Sequence, residues 1–284
     1  MQGSEPGAKL TISAEETAAL QAIVEGHCGV VAGLDSGFFL ERRAGPRVQA
    51  LGLTSFAAYC EYLRRPDEGP QELALLVEQL TTHETYFFRE LFQLDAFRAE
   101  VLPALARARA GARRLTIWSA GTSTGEEAYT LAMILLESGL FAGWSLRVIG
   151  TDISRRVLST ARHGVFGPSS FRTTDDQLRD RYFERAQGDT YRVRDEVRAL
   201  VHFRHLNLLD AGGVAGLGPV DAIFCRNVLM YMSTDARRRV VASFHDALFP
   251  GGYLFLGHSE SLITLGTDFE LVHLRRDLAY RRAP

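Results

Sequence analysis

The spacing of hydrophobic positions changes near residue 115. Before it, apolar residues recur at helical intervals in Thr17–Val24, in FAAYCEYLRR after Thr54-Ser55, and in QELALLVEQL after Pro70. Ser13 with Glu16 has capping-box spacing ahead of the first stretch, and Pro66 stops the second. No strand pattern precedes Leu115, so the first third predicts a small all-helical domain. After it, short apolar runs alternate with amphipathic stretches. The runs predict strands at Leu115–Ala120, Leu146–Thr151, Leu200–Asn207, Val220–Cys225 and Tyr253–Gly257. The stretches predict helices at Glu127–Leu136, Arg155–Arg162 and Thr234–Leu248. That alternation is the pattern of an α/β fold, a mostly parallel sheet with right-handed crossovers and helices on both faces. FELVHLRRDLAYRR predicts a closing antiparallel hairpin around Arg276-Asp277. Between Phe166 and Arg198 the chain is too polar for core, yet TYRVR alternates like a strand, which predicts a small appendage on the second crossover.

One stretch organises the second part: LTIWSAGTSTGEEAY, Leu115 to Tyr129. It reads as strand, glycine turn and helix, the entrance to a nucleotide-type site, where glycine permits close backbone approach to a ligand. Gly121 and Gly125 give G-x-x-x-G, short of the three glycines of the dinucleotide fingerprint. Glu126 and Glu127 open the helix. They would repel a phosphate there and suit a ligand with a free amine, or else simply complement the helix dipole.

In an open sheet of this kind, ligands bind beyond the carboxyl ends of the strands. The second strand ends at Asp152, suited to two ribose hydroxyls unless it caps the helix at Arg155, a role Ser154 can take instead. The third offers Asn207 near an adenine edge, and the fourth Arg226, Asn227 and Tyr231. A ribose carboxylate, an amide near the base and acids near an amino-acid tail suit S-adenosylmethionine better than NAD. Leu248-Phe-Pro-Gly-Gly followed by an apolar run strengthens that reading.

Composition narrows the partners. The formal net charge of -2 gives no basic field for nucleic acid. Cys28, Cys60 and Cys225 are widely spaced and form no C-x-x-C pair, which argues against a disulfide framework or a zinc site and fits a reducing compartment. The polar start MQGSEPGAKLTIS lacks a signal-peptide core and no apolar run reaches membrane-spanning length, so a cytoplasmic protein without membrane insertion is expected. Nothing resembles a coiled coil, and a monomer is the default expectation. Residues 1–90 carry about -6 and the remainder about +4.

Four segments, TTHETYFFRE, WSAGTSTGEEAY, FCRNVLMYM and PGGYLFLGHSE, together resemble the CheR family of chemotaxis-receptor protein-glutamate O-methyltransferases, and the resemblance covers nearly the whole chain. It implies a Rossmann-like class I methyltransferase sheet with a small all-helical N-terminal domain and a small β appendage. The corresponding divisions are 1–80 for the helical domain, 81–114 for linking helices that contribute to the active site, and 115–284 for the methyltransferase domain, with the insertion at about 165–200. It further implies S-adenosylmethionine as cofactor, S-adenosylhomocysteine as product, and chemoreceptor cytoplasmic methylation helices as partners. Residues on its cofactor-contacting positions are His83, Thr85, Arg89, Gly121, Glu127, Asp152, Asn207, Leu208, Arg226 and Asn227, and Arg89 with Tyr231 fall beside the reacting methyl.

The chain departs from the family pattern in three places. His83 stands where the family usually has Asn. The appendage is compact around Ala186-Gln-Gly-Asp-Thr190, like members that do not dock on a receptor's C-terminal pentapeptide. The N-terminal domain is acidic, with Arg42, Arg43 and Arg47 as a short basic patch, whereas the family is described as using basic residues there. Two alternatives remain open from the sequence: a regulatory module that binds the cofactor or its product, and a methyltransferase for another acidic protein.

Overall fold

The structure, a computed structural model, describes residues 10–31 and 33–284; the expectation for the N-terminal segment, including Lys9, falls mostly outside them. By its contacts the chain divides into two units. One runs to Thr82 and includes Tyr231–Ala236; the other comprises His83–Met230 and Arg237–Pro284.

The first unit contains α1 (Ala14–Cys28), α2 (Gly37–Ala50), α3 (Phe56–Leu63) and α4 (Gly69–Leu80). The expected capping box is formed: the Ser13 hydroxyl accepts the Glu16 N–H and Glu16 accepts the Ser13 N–H. The other Glu16 oxygen takes the Ala57 N–H at 2.7 Å, joining the start of α3 to α1. Those backbone donors, Ser13's foremost, lower the Glu16 pKa. Glu72 is buried and satisfied by the Tyr59 hydroxyl and the Arg47 guanidinium. This corrects the expected basic patch: Arg47 neutralises a buried carboxylate of its own domain, leaving Arg42 and Arg43 exposed.

In the second unit, α5 (Leu91–Ala96), a π-helical turn (Phe97–Val101) and α6 (Leu102–Ala108) lead into the sheet. There follow β1 (Arg114–Ala120), α7 (Glu126–Glu137), β2 (Ser145–Asp152) and α8 (Arg155–His163). The appendage holds β3 (Val165–Phe166), α9 (Asp176–Tyr182), β4 (Phe183–Arg185), β5 (Tyr191–Val193) and α10 (Asp195–Arg198). Then come β6 (Val201–His205), α11 (Ala211–Ala215), β7 (Val220–Cys225), α12 (Thr234–Ala247), β8 (Leu248–Leu256), β9 (Phe269–His273) and β10 (Leu278–Arg282).

The main sheet has the order β6-β2-β1-β7-β8-β10-β9, with its first five strands parallel and β10 antiparallel to both of its neighbours, β8 and β9. The chain winds outward from β1 to β6 and then returns to β7 on the other side of β1. The strand order therefore reverses between β1 and β7, and the crevice beyond their carboxyl ends is the place such a sheet offers a ligand. Burial explains the parallel arrangement: all six residues of β7 are buried, the pattern of a strand covered on both faces. On one face Phe97, Phe224 and Phe255 pack at 4.5–5.5 Å; elsewhere Trp118 meets Phe244 edge-on at 5.1 Å.

Two local expectations are corrected. The last strand of the parallel set starts at Leu248, directly after α12, and runs through Pro250-Gly251-Gly252. A bulge makes this possible: Val220 pairs with Leu248 but Ala222 with Tyr253, and Gly251 takes φ 79°. Second, the appendage is not simply polar, because Phe171, Tyr182, Phe183 and Val193 are buried beside its antiparallel sheet β3-β5-β4. Thr81 and Glu84 have the spacing of a capping box but start no helix. Thr81 closes α4, its hydroxyl donating to the Val77 carbonyl, while Glu84 pairs with Arg172 at 2.8 Å.

What holds the segment after Thr82 is an aromatic plug. Phe87 is fully buried, with ring centroids 4.9 Å from Phe166, 5.2 Å from Phe171 and 4.8 Å from Phe183. Its N–H donates to Ser170 and its carbonyl accepts the Thr173 hydroxyl, both at 2.9 Å. Beyond the plug, Phe88 and Glu90 take left-handed φ of 57° and 58°, conformations that the surrounding packing must impose. Phe87→Ala should therefore lower unfolding free energy by about 3–5 kcal/mol, the usual cost of emptying an aromatic core position. Urea denaturation checks this; a loss below about 1 kcal/mol would show that the cluster closes without the ring.

Candidate ligand site at the carboxyl ends of the strands

The glycine turn after β1 is fastened to the end of β2. The Thr151 carbonyl accepts N–H groups from Gly121 and Thr122, both at 2.8 Å. Gly121, Ser123 and Gly125 take φ of 78°, 53° and 99°. A Cβ on Gly121 would lie 2.5 Å from Val228, and one on Gly125 would lie 2.9 Å from Ala161 and 3.0 Å from Phe203. The bareness of these two glycines thus serves the chain's own packing as well as its turn geometry.

Asp152, at the tip of β2, is buried. One carboxylate oxygen accepts the Ser123 N–H and the other the Ser154 N–H, each at 2.9 Å. The Ser154 hydroxyl caps α8, accepting from Val157, so Asp152 is not spent on that cap. Burial raises the Asp152 pKa, opposed by the Ser154 N–H, by the charge of nearby His83 and by the Ser123 N–H. The His83 carbonyl accepts the Ser123 hydroxyl at 3.3 Å, so the segment before Phe87 adjoins the same turn. Leu206 donates its N–H to the Asp152 carbonyl at 3.0 Å, which sets Asn207 and Leu208 next in line. Asn207 turns its side-chain oxygen onto the Leu209 N–H at 3.1 Å, and Leu208 is buried.

The two acids that open α7 have different surroundings. Glu126 is buried and accepts the Thr124 and Ser170 hydroxyls at 2.6 and 2.9 Å; desolvation raises its pKa against those bonds. Glu127 accepts the Ser119 hydroxyl and the Arg226 Nε, both at 2.7 Å. Arg226, nearly inaccessible to solvent, also donates from Nη1 to the Arg89 carbonyl at 2.8 Å, with Glu90 at 3.7 Å. Both acids therefore serve as internal partners, more than the free first-turn charges the sequence suggested.

Two groups thus form at the carboxyl ends of the strands: Asp152, His83 and Gly121 around the glycine turn, and Glu127, Arg89 and Arg226 around a buried guanidinium, with Asn227 next to Arg226 and with Asn207 and Leu208 following the Leu206 bond to Asp152. Arg89 is half-buried, its Nη1 donating to the Glu84 carbonyl at 3.0 Å. Thr85 is half-buried in the same segment. Tyr231 ends a short 3₁₀ turn, and its carbonyl accepts the Val31 N–H at 2.8 Å within the first unit. Sequence reasoning missed Ser119, Ser123, Glu90, His258 and Glu260, whose bonds complete the crevice. Their signals were the quoted segments they sit in: WSAGTSTGEEAY for Ser119 and Ser123, TTHETYFFRE for Glu90, and GHSE for His258 and Glu260.

The crevice has the donors and acceptors for S-adenosylmethionine. The Asp152 carboxylate suits a ribose diol. Two buried polar atoms of these loops, Thr122 Oγ1 and Asn227 Oδ1, have no hydrogen-bond partner among the described residues, bonding capacity that a polar ligand could use. Clefts of about 220 and 380 Å³ lie elsewhere, at the amino-terminal foot of the strands, where Asp221 pairs with Arg109 at 2.7 Å beneath Phe249.

Residues 83–278 match the family model described as CheR methyltransferase, SAM binding domain, and residues 15–81 match that of the CheR methyltransferase all-alpha domain. The chemotaxis protein methyltransferase 2 of Vibrio cholerae is 36% identical over 249 residues, 86% of this chain and 84% of that protein. The chemotaxis protein methyltransferase 1 of Pseudomonas aeruginosa is 33% identical over 268 residues, 92% and 95% respectively. The chemotaxis protein methyltransferase of Salmonella typhimurium is 37% identical over 228 residues, 79% and 76%. Among solved structures, magnesium protoporphyrin IX methyltransferase from Synechocystis with bound SAM covers 66% of this chain and 80% of its own, at 16% identity and a TM-score of 0.33.

Glu126 supplies a test of the site's electrostatics. Its folded pKa lies above that of an ordinary carboxylate, so the folded protein takes up this proton more readily than the unfolded chain. Its stabilising contribution is full below the ordinary carboxylate pKa and is lost as pH rises through the raised value. Glu126→Gln cannot titrate. The melting temperature of the parent minus that of the variant should therefore increase as pH is lowered from neutral toward the ordinary carboxylate pKa. A difference constant across that range would show that Glu126 does not carry the effect.

Proposed function

This chain belongs to the CheR methyltransferase family, and from that premise we propose that it esterifies glutamate side chains of chemoreceptors, at their cytoplasmic methylation helices, using S-adenosylmethionine. The observation that carries the reading is the Asp152 carboxylate, held by two backbone N–H groups beside the glycine turn and within the field of His83. S-adenosylmethionine, once bound, supplies an activated methyl on a sulfonium, and S-adenosylhomocysteine is left when it has gone.

The residues of this chain have modest chemical work to do. A glutamate carboxylate, with an ordinary pKa of about 4.3, is ionised at neutral pH and needs no general base. The requirement is to hold its oxygen in line with the methyl and to exclude water. Arg89, a planar fork of donors at the crevice, would orient the carboxylate, and Tyr231 would fix its angle. Thr85, His83, Gly121, Glu127, Asn207, Leu208, Arg226 and Asn227 would hold the nucleoside and its amino-acid tail. His83 in place of the usual Asn can still donate or accept.

Recognition without a receptor pentapeptide is part of the same proposal. The Ala186–Thr190 turn is closed on itself, with the Ala186 N–H on the Thr190 carbonyl at 2.9 Å, and offers no long loop to a peptide. The protein would act as a cytoplasmic monomer; among the described residues no helix is long and apolar enough to cross a membrane.

Radiolabelled S-adenosylmethionine should label receptor-containing membranes, with alkali releasing the label as methanol, the signature of a carboxyl methyl ester. Removing the receptor tails should leave the label in place. Cofactor binding without any transfer would instead indicate a different acidic substrate or a regulatory module. Within the reaction, Arg89→Ala should lower turnover by more than Glu127→Ala does. Equal losses of turnover in the two variants would undo this division of roles.

A further inference from the structure

The turn that follows β8 makes contacts out of proportion to its four residues. The Glu260 carboxylate accepts four backbone N–H groups. One oxygen takes those of Asn227 and Gly257, at 2.7 and 2.8 Å; the other takes those of Val228 and Met230, both at 3.0 Å. A carboxylate offers about four lone-pair sites, so the side chain is fully occupied by backbone. Three of its donors belong to the loop after β7 that carries Asn227, a residue held at φ 58°. Gly257 is fitted to the same contact: a Cβ there would lie 2.8 Å from the Asn227 amide nitrogen, 2.9 Å from its backbone nitrogen and 2.9 Å from Glu260 itself.

On its other side the turn reaches the segment that carries Arg89. His258 Nδ1 lies 2.8 Å from one Glu90 oxygen, and the second Glu90 oxygen faces Arg226 Nη1 at 3.7 Å. That same Nη1 holds the Arg89 carbonyl. One helical turn on, buried Gln93 donates to the Leu256 carbonyl at 2.9 Å.

We infer that Gly257–Glu260 is a clasp that sets the relative position of Arg89 and the Arg226-Asn227 loop, with Glu260 and His258 as positioning residues for methyl transfer. The inference rests on the reaction proposed above. Neither side chain needs to touch a reactant. Glu260 fixes the loop from one side, and His258 fixes Glu90, and through it Arg226 and Arg89, from the other. A displacement of about 1 Å between groups that must align can cost about a hundredfold in rate. The clasp therefore acts on kcat more than on cofactor affinity.

The His258 arm gives the cleaner test, because its side chain is 74% exposed and its loss leaves no cavity. His258→Ala should lower single-turnover methylation about tenfold. Binding of S-adenosylhomocysteine by calorimetry should change less than about twofold. His258→Asn, whose amide nitrogen can occupy the place of Nδ1, should restore most of the rate. For the other arm, Glu260→Gln keeps the shape but faces the N–H groups with only one acceptor oxygen, and should lower kcat about a hundredfold.

Hydrogen exchange reads the clasp independently of activity. Glu260→Gln should hasten exchange most in residues 226–230, and His258→Ala most in residues 86–93. The inference is overturned if exchange is unaltered in both variants, if Ala and Asn at 258 behave alike, or if rate falls only in proportion to lost stability. A parent enzyme that forms no methyl ester would instead overturn the glutamate reading, and the exchange pattern would still decide the clasp.

Discussion

A guanidinium buried in the second unit sets the terms for its surroundings. Arg226 is almost shielded from water, and an uncompensated charge there would cost several kcal/mol. It is accommodated because Glu127 faces its Nε, Glu90 lies beyond its Nη1 and the Arg89 carbonyl accepts from it. Its partners come from two other parts of the chain, the start of α7 and the left-handed kink before α5, while Arg226 itself follows the end of β7. Satisfying one cation thus brings together the three segments from which the crevice is built. Glu127 is in turn held by Ser119 on β1, so the network reaches the centre of the sheet.

Against this background the crevice is largely pre-formed. Asp152 has its backbone donors, the glycine turn is tied to β2, and the oxygens of Thr122 and Asn227 have bonding capacity unused among the described residues. Preformed polar groups of this kind reduce the reorganisation that binding and reaction would otherwise require. The chemistry proposed for this family member needs little more: the nucleophile is ionised in advance, and alignment does the rest.

How much of this could be read in the sequence depended on the range of the interaction. The strands β1, β2 and β7 were legible because a strand buried on both faces must be a continuous apolar run, and Ser154 announced itself as a cap by sitting just before α8. Local signals misled where a distant partner decided the outcome. Thr81 and Glu84 have capping-box spacing, but Phe87 is drawn into Phe166, Phe171 and Phe183, and the chain stays extended between. Arg47 looked like a surface charge until Glu72 claimed it. β8 starts early because a bulge lets Leu248 pair with Val220, which no local pattern encodes. Asp152, Glu127, Arg226 and Asn227 were proposed as site residues from their places at strand ends or helix starts and from family motifs. Glu260 was not, since three of its four donors lie about thirty residues upstream and are backbone groups, indifferent to residue type.

The Phe87 plug carries a consequence for how such proteins can be recombined. The ring that fills the appendage's aromatic pocket is contributed by the segment before α5, far away in sequence. Appendage and linker are therefore one module split in two, and exchanging the appendage for that of a relative transplants a socket without its stopper. A chimera that takes residues 165–200 from a donor must also take the donor's residue at position 87, and the same pairing restricts how the insertion can diversify over evolutionary time.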